Sequence, residues 1–189
     1  MTERDILRWI NTNLGDAIEK ALIHASEKFP DHPYTKDWMA GIIMRETGFL
    51  IARYAKAGTK PEIIHTLMRG DYGQRPGEKE KSYHGYGYPQ IDIGSYPDFV
   101  KSGDWKNPFK VICKAIYVLE EKRLYLVPRF PNLQGDSLHR AITAAYNCGQ
   151  GNVAKVLEAG LDIDARTYNH DYSREVWRFR EMFNYTSTQ

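Results

Sequence analysis

Glu46 is the residue best placed to do chemistry, because it stands on the apolar face of a predicted helix. A carboxylate on such a face loses water, which favours its neutral form and raises its pKa. A carboxylic acid that is still protonated near neutral pH can act as a general acid. The alternative is a structural glutamate that pairs with an arginine or a helix end. The helix runs from Asp37 to Tyr54, and its apolar residues recur at helical spacing: Met39, Ile42, Ile43, Phe49, Leu50 and Tyr54.

The elements around this helix predict a mostly α-helical single domain over residues 1–189. Apolar periodicity and proline or glycine stops place six further helices. Asp37 is the expected N-cap of the glutamate helix, and Asp136 or Ser137 that of a later helix. In the helix that begins at Pro108, Phe109 and Leu124 are expected to face inward. The six further helices are predicted at 2–28, 61–68, 108–126, 137–146, 153–157 and 171–183.

The stretch from Gly70 to Asp104 interrupts this helical pattern with glycine, proline, tyrosine and charge. It predicts a long irregular loop or a small β region between the glutamate helix and the later helices, with two short strands around 86–93. A loop of this length inside a compact domain is commonly functional. Four tyrosines within it are candidate platforms for sugar rings, with ordinary packing as the alternative: Tyr83, Tyr86, Tyr88 and Tyr96.

Composition excludes several classes of protein. The net charge is +2, and no predicted helix carries a basic stripe, so we expect no nucleic-acid partner. The sequence contains no run of eighteen apolar residues, so we predict no membrane span. The first ten residues carry charges where a signal peptide needs an apolar stretch, which leaves export by another route, a processed chain or an excised domain. Cys113 and Cys148 lack the spacing of a zinc site, and we expect free thiols, with a single disulfide between them as the alternative. We expect no metal, no cofactor and a monomer.

Three segments stand in this order along the chain: Glu46-Thr-Gly-Phe49, Gly87-Tyr-Pro-Gln-Ile-Asp92 and Ala144-Ala-Tyr-Asn-Cys-Gly-Gln-Gly-Asn-Val153. They resemble motifs of the goose-type lysozyme and soluble lytic transglycosylase superfamily. The first is similar to Glu-Ser-x-Phe, and the second to Gly-Leu-Met-Gln-Ile/Val followed by Asp. Ala144-Ala-Tyr-Asn-Cys-Gly-Gln-Gly-Asn-Val153 matches Ala-Tyr-Asn-Ala-Gly-x-Gly-Asn-Val almost residue for residue, and is the most specific of the three. Asp171-Tyr-Ser-Arg-Glu-Val176 resembles the opening of the closing helix in the goose-type branch.

The resemblance implies a lysozyme-like fold over residues 38–183, with residues 1–30 as an N-terminal helical extension. It implies cleavage of the β-1,4 link between N-acetylmuramic acid and N-acetylglucosamine, with Glu46 as the catalytic acid. Gln90 would line the glycan groove, Ile91 would give backbone contacts to an N-acetyl group, and Tyr146 would reach toward Glu46 and the substrate. Asn147 is either a further substrate-binding residue or a residue that stabilises the turn into Gly149.

The sequence leaves two alternatives for the second half of the reaction, and they differ in whether a second carboxylate takes part. Hydrolysis with inversion needs a carboxylate that activates water on the far face of the sugar, whereas a lytic transglycosylase uses the C6 hydroxyl of its own substrate. Asp92 is the best candidate for that carboxylate, with a turn or cap role before Gly94 as the alternative, and Asp71 and Glu80 as outside candidates.

Two departures leave room for a different substrate. Tyr88-Pro89 replaces Leu-Met, and the 41 positions from Glu46 to Gly87 make this span longer than is usual in the family. Residues 57–83 are therefore an expected insertion at the rim of the cleft. His84 is expected to be a polar residue of that rim. A chitin-cleaving enzyme and a non-catalytic glycan-binding protein on the same scaffold are the alternatives to a peptidoglycan glycosidase.

Overall fold

A computed structural model describes residues 1–187 of the chain, about two thirds of which are helical. It begins with helix α1 (Glu3–Lys28), where the Thr2 hydroxyl accepts a hydrogen bond from the amide of Asp5 and the Asp5 carboxylate accepts one from the amide of Thr2. This reciprocal capping box satisfies backbone donors that the first turn leaves unpaired. The helix ends before Phe29 and Pro30, as the proline predicts.

Helix α2 (Lys36–Lys56) carries Glu46 and lies at the centre of the fold. It packs against α1 and against the last helix, α8 (Tyr172–Ser187). Gly41 allows the close approach to α8, since a Cβ there would lie 2.7 Å from the carbonyl oxygen of Val176. The predicted N-cap at Asp37 is wrong: Thr35 is the N-cap, and the carboxylate of Asp37 instead accepts a hydrogen bond of 2.5 Å from Nε of Arg180 on α8.

The remaining helices are α3 (Pro61–Leu67), α4 (Pro97–Ser102), α5 (Pro108–Leu126), α6 (Gly135–Cys148) and α7 (Gln150–Glu158), with short 3₁₀ turns at Asp104–Lys106, Ile163–Arg166 and Tyr168–His170. Helix α5 packs against α1 and α6, and α6 also packs against α7 and α8. Helix α6 begins after Gln134, so the predicted caps at Asp136 and Ser137 are also wrong. On α5 the expected inward positions of Phe109 and Leu124 are wrong as well, because Leu124 is 59% exposed and Phe109 is 36% exposed.

The prediction of a small β region between the glutamate helix and the later helices is confirmed. Strands β1 (Arg69–Gly73), β2 (Ser82–Tyr86) and β3 (Ile91–Asp92) form an antiparallel sheet in the order β1–β2–β3. Its register pairs Gly70 with Gly85, and Gly85 with Asp92. Two glycines and an aspartate therefore follow one another across the sheet, and this row adjoins the site described below.

The described residues also bear on membrane spans, thiols and clusters of possible metal ligands. Within residues 1–187, no helix is both long and apolar enough to cross a bilayer. Cys113 and Cys148 are free thiols, as expected. In the same part of the chain, no group of three or more histidine, cysteine, aspartate or glutamate side chains could hold a metal ion.

Candidate active site

A cleft of about 900 Å³ lies between the sheet and helices α2, α5, α6 and α8, and Glu46 lines its wall. The side chain of Glu46 is half-buried, and this burial raises its pKa to about 7, against a hydrogen bond from Tyr172 and the charge of Arg45, which both lower it. Glu46 is thus a carboxylic acid that is substantially protonated at neutral pH and open to the cleft. It can donate a proton to a bound molecule.

The turn between β2 and β3 forms another wall of the cleft, and helices α2 and α6 hold it in place. The hydroxyl of Thr47 lies 2.9 Å from the carbonyl oxygen of Tyr88, and the hydroxyl of Tyr146 donates a hydrogen bond of 2.7 Å to the carbonyl oxygen of Pro89. Two consecutive carbonyl groups are therefore fixed from two helices. Gln90 follows with a φ of 54°, which non-glycine residues rarely adopt and which is common at binding sites.

Gln90 itself lies flat across the sheet. Its Nε2 donates a hydrogen bond of 2.8 Å to the carbonyl oxygen of Gly87. Its Oε1 lies against the glycine pair, since a Cβ built on Gly70 would be 2.2 Å from this oxygen and one built on Gly85 would be 2.4 Å from it. The paired glycines thus leave the space that this side chain occupies. Gln90 and Ile91 both line the cleft.

Helix α8 supplies Tyr172, whose hydroxyl donates a hydrogen bond to Oε1 of Glu46. Asp164 positions the start of this helix, because its buried carboxylate accepts hydrogen bonds of 2.8 Å and 3.2 Å from the amides of Ser173 and Arg174. Negative charge at a helix N-terminus is stabilising. The segment from Asp171 to Val176, which resembles the closing helix of the goose-type branch, includes Tyr172. Tyr172 was nevertheless not among the predicted site residues.

Arg45 lies beside Glu46 in the cleft and is flanked by two aromatic rings. Its guanidinium carbon is 5.8 Å from the ring centre of Tyr168 and 5.6 Å from that of Tyr172, and its Nη2 is 3.2 Å from Asp171. Oδ1 of Asn147 accepts a hydrogen bond of 2.8 Å from the amide of Tyr168. Asn147 lines the cleft and anchors this loop, rather than the turn into Gly149.

The expectation that Phe49 is buried is wrong. Its side chain is 76% exposed and lines the cleft, one turn of α2 beyond Glu46. A large exposed aromatic side chain at this place has no packing role in the fold. It offers an apolar face to whatever occupies the cleft.

Three of the four tyrosines predicted as platforms for sugar rings lie outside the cleft lining. Tyr88 is only 1% exposed, with its hydroxyl 2.6 Å from Nδ1 of His65, so it belongs to the core and cannot contact a ligand. Tyr86 is half-buried against the ring of Trp105 and lies outside the cleft lining, and Tyr83 packs against Tyr72. Of the four, Tyr96 lines the cleft, where its hydroxyl donates a hydrogen bond to Glu121.

Asp92 lines the cleft and also caps a turn. Its Oδ1 accepts hydrogen bonds from the amide and the hydroxyl of Ser95, at 2.8 Å and 3.0 Å. Its Oδ2 lies 2.6 Å from Nη1 of Arg75, which also contacts Asp71 through Nη2 at 2.9 Å. Asp71 lines the cleft as well, whereas Glu80 does not.

The expectation that His84 is a polar residue of the rim is wrong, because His84 is buried. Its side chain is 2% exposed, and its Nε2 lies 2.9 Å from the Glu78 carboxylate, which raises the pKa of the imidazole. Its Nδ1 lies 2.7 Å from the carbonyl oxygen of Asp71. His84 therefore fastens the connection between β1 and β2.

Comparison with known proteins adds no identification. The chain matches no protein-family model and no curated protein.

Proposed function

We propose that this protein is a glycosidase that cleaves β-1,4 links in the glycan strands of peptidoglycan, with Glu46 as its general acid. The observation that carries the proposal is a carboxyl group with a pKa of about 7 on the wall of a cleft that is large enough for several sugar rings. Glycosidic cleavage requires an acid that protonates the leaving oxygen, and a raised pKa keeps that acid protonated at neutral pH.

The lysozyme-like assignment belongs to the same proposal. Its support is the order of the sequence motifs together with the proximity of the side chains they contain. Glu46, Gln90 and Tyr146 come from three separate segments and line one cleft. A chain that had kept only the fold would have had no need to retain these three side chains around one cavity.

The charge of the cleft favours peptidoglycan over chitin, because peptidoglycan carries carboxylates and chitin does not. Four cationic side chains line the cleft: Arg45, Arg69, Arg75 and Lys122. Arg45 and Arg75 are paired with aspartates. Within the described part of the chain, Arg69 and Lys122 form no ion pair within 4.0 Å, and the guanidinium carbon of Arg69 lies 5.0 Å from the ring centre of Tyr83. Both charges would therefore be open to an anionic substrate.

Four of the side chains would act together in the reaction. Glu46 would protonate the glycosidic oxygen as the bond from C1 breaks, and its carboxylate would then be stabilised by the hydrogen bond from Tyr172. Gln90 would orient the glycan along the sheet. Phe49 would hold a sugar ring against its exposed face.

Digestion of purified peptidoglycan and of a chitin oligosaccharide, read by mass spectrometry, tests the proposal. We expect soluble muropeptides from the parent and none from Glu46→Gln. The matched control is Glu158→Gln, because Glu158 is an exposed glutamate on α7 that lies outside the cleft. Cleavage of chitin in preference to peptidoglycan would favour the chitinase alternative. Binding of either polymer without cleavage would overturn the enzymatic proposal.

A further inference from the structure

Arg75 joins two carboxylates of the cleft wall. One guanidinium group reaches Oδ2 of Asp92 at 2.6 Å through Nη1 and Oδ2 of Asp71 at 2.9 Å through Nη2. All three residues line the same cleft as Glu46. The cleft thus holds one carboxyl group that carries its proton near neutral pH and two carboxylates tied to one cation.

The ion pair leaves Asp92 poorly suited to act on a water molecule. Oδ2 is engaged by Arg75, and Oδ1 accepts two hydrogen bonds from Ser95. Burial alone would raise the pKa of Asp92, but Arg75 and Ser95 outweigh it and hold that pKa below its usual value. A carboxylate of low pKa is a weak general base, since proton abstraction follows the basicity of the group.

The connection between β1 and β2 holds Arg75 in place. The amide of Arg75 donates a hydrogen bond of 2.7 Å to Oε2 of Glu78. The same carboxylate lies 2.9 Å from Nε2 of the buried His84 on β2. The guanidinium is therefore presented by an anchored segment rather than by a free surface loop. This segment falls within residues 57–83, the stretch that lengthens the span between Glu46 and Gly87.

We propose that Arg75 is a positioning residue that withholds Asp92 from activating water, so that cleavage ends in a 1,6-anhydro sugar. The inference rests on the proposed function. The proton of Glu46 passes to the glycosidic oxygen, and the C1–O bond breaks with its electron pair on the leaving sugar. The C6 hydroxyl oxygen of the same muramic acid then bonds to C1, and its proton returns to Glu46. No water is consumed.

Hydrolysis would follow a different course at the second step. The oxygen of water would bond to C1, and its proton would pass to a base on the far face of the ring. With Arg75 removed, Asp92 regains an unpaired oxygen, and its pKa rises because the Ser95 hydrogen bonds alone remain to oppose burial. The fraction of reducing-end product should then increase at the expense of the anhydro product.

The experiment is digestion of peptidoglycan in heavy-oxygen water, which labels each hydrolytic end and leaves each anhydro end unlabelled and lighter by one water. We expect anhydro ends from the parent, and about a tenfold rise in the labelled fraction for Arg75→Met. Arg75→Lys keeps a cation beside Asp92 and should retain the parent's product. Thermal unfolding of each variant reports whether the β1–β2 connection remains folded.

Two double variants separate the role of Asp92 from general loosening of the cleft. Arg75→Met with Asp92→Asn should return to anhydro ends, whereas Arg75→Met with Asp71→Asn should stay hydrolytic. Labelled ends from the parent, or an unchanged ratio in Arg75→Met, would overturn the inference and leave the glycosidase intact. The absence of any cleavage by the parent would overturn the proposed function and this inference with it.

Discussion

The hydroxyl of Tyr172, on the first residue of α8, donates a hydrogen bond to the carboxylate of Glu46 at the centre of α2. This contact opposes burial: burial raises the pKa of Glu46, the hydrogen bond lowers it by stabilising the ionised form, and the resulting pKa is about 7. The two effects together keep the acid near neutrality. Tyr172 therefore sets the pH range in which the proposed acid is protonated.

Tyr172→Phe should move the alkaline limit of activity to higher pH. Activity of the parent should fall as pH rises through about 7, where Glu46 loses its proton. Without the hydroxyl, the ionised form loses stabilisation, the pKa rises, and the limit should move up by about one pH unit. The measurement is the pH dependence of kcat/KM on solubilised glycan strands.

Tyr146→Phe is the matched control for that shift. The hydroxyl of Tyr146 is bonded to the carbonyl oxygen of Pro89 and not to Glu46. Its removal should loosen the turn that carries Gln90 and raise KM, with the alkaline limit unchanged. An alkaline limit that stays in place for Tyr172→Phe, or that moves to lower pH, would contradict the role assigned to Tyr172.

Glu46→Gln should stabilise the fold at pH 8 and have little effect at pH 5. The folded parent keeps a proton between pH 4.5 and about 7 that the unfolded chain has released. The resulting stabilisation of the folded state is on the order of 3 kcal/mol. It is complete below pH 4.5 and is lost as the pH rises through about 7. Glutamine is neutral at every pH and avoids this loss.

Urea unfolding at the two pH values measures the effect. The difference in free energy of unfolding between Glu46→Gln and the parent should grow toward pH 8. Glu158→Gln is the matched control at both pH values, since Glu158 is exposed on α7. Equal differences for Glu46→Gln at pH 5 and pH 8 would mean that the carboxyl group has an ordinary pKa.

Phe49→Ala should weaken substrate binding without weakening the fold. The ring is 76% exposed on the cleft wall, so its removal creates no cavity, and stability should change by less than about 0.5 kcal/mol. Loss of an aromatic face against a sugar ring should raise KM by about tenfold. Leu124→Ala removes a comparably exposed apolar side chain outside the cleft and should leave KM unchanged. A matching change in KM for both variants would remove Phe49 from the binding surface.

The position of Phe49 also shows where sequence periodicity stops being informative. Met39, Ile42 and Ile43 lie in the core as the helical spacing predicts. Farther along α2 the same spacing leads to Glu46 and Phe49, which face the cleft. A groove wall and a core both favour apolar side chains at that spacing, so the sequence alone does not separate them.

Tyr88 illustrates a second limit of the sequence. Gln90 lines the cleft, but the direction of each neighbouring side chain depends on the turn. Gly87 and Gln90 both have positive φ, and this backbone directs Tyr88 into the core against His65. The contact of Arg75 with Asp92 could not be predicted from the sequence either, because it depends on how the β1–β2 connection folds back over the sheet.

The glycine pair beneath Gln90 gives a prediction that depends on the sheet register. A Cβ on Gly70 would lie 2.2 Å from Oε1 of Gln90, and this oxygen is the end of a flexible side chain. Gly70→Ala should therefore displace the amide rather than unfold the strand. We expect a fall of about tenfold in kcat/KM, with a change in stability below about 1 kcal/mol.

Gly73→Ala is the matched control, since Gly73 lies on the same strand and a Cβ there would meet no atom within 4 Å. It should retain the parent's activity. Gly85→Ala should reproduce the loss from the neighbouring strand, because its Cβ would lie 2.4 Å from the same oxygen. If Gly70→Ala were as active as Gly73→Ala, the placement of Gln90 on the glycine pair would not matter for turnover. The groove would then have to orient its substrate through other side chains, with Phe49 and Tyr146 as the next to vary.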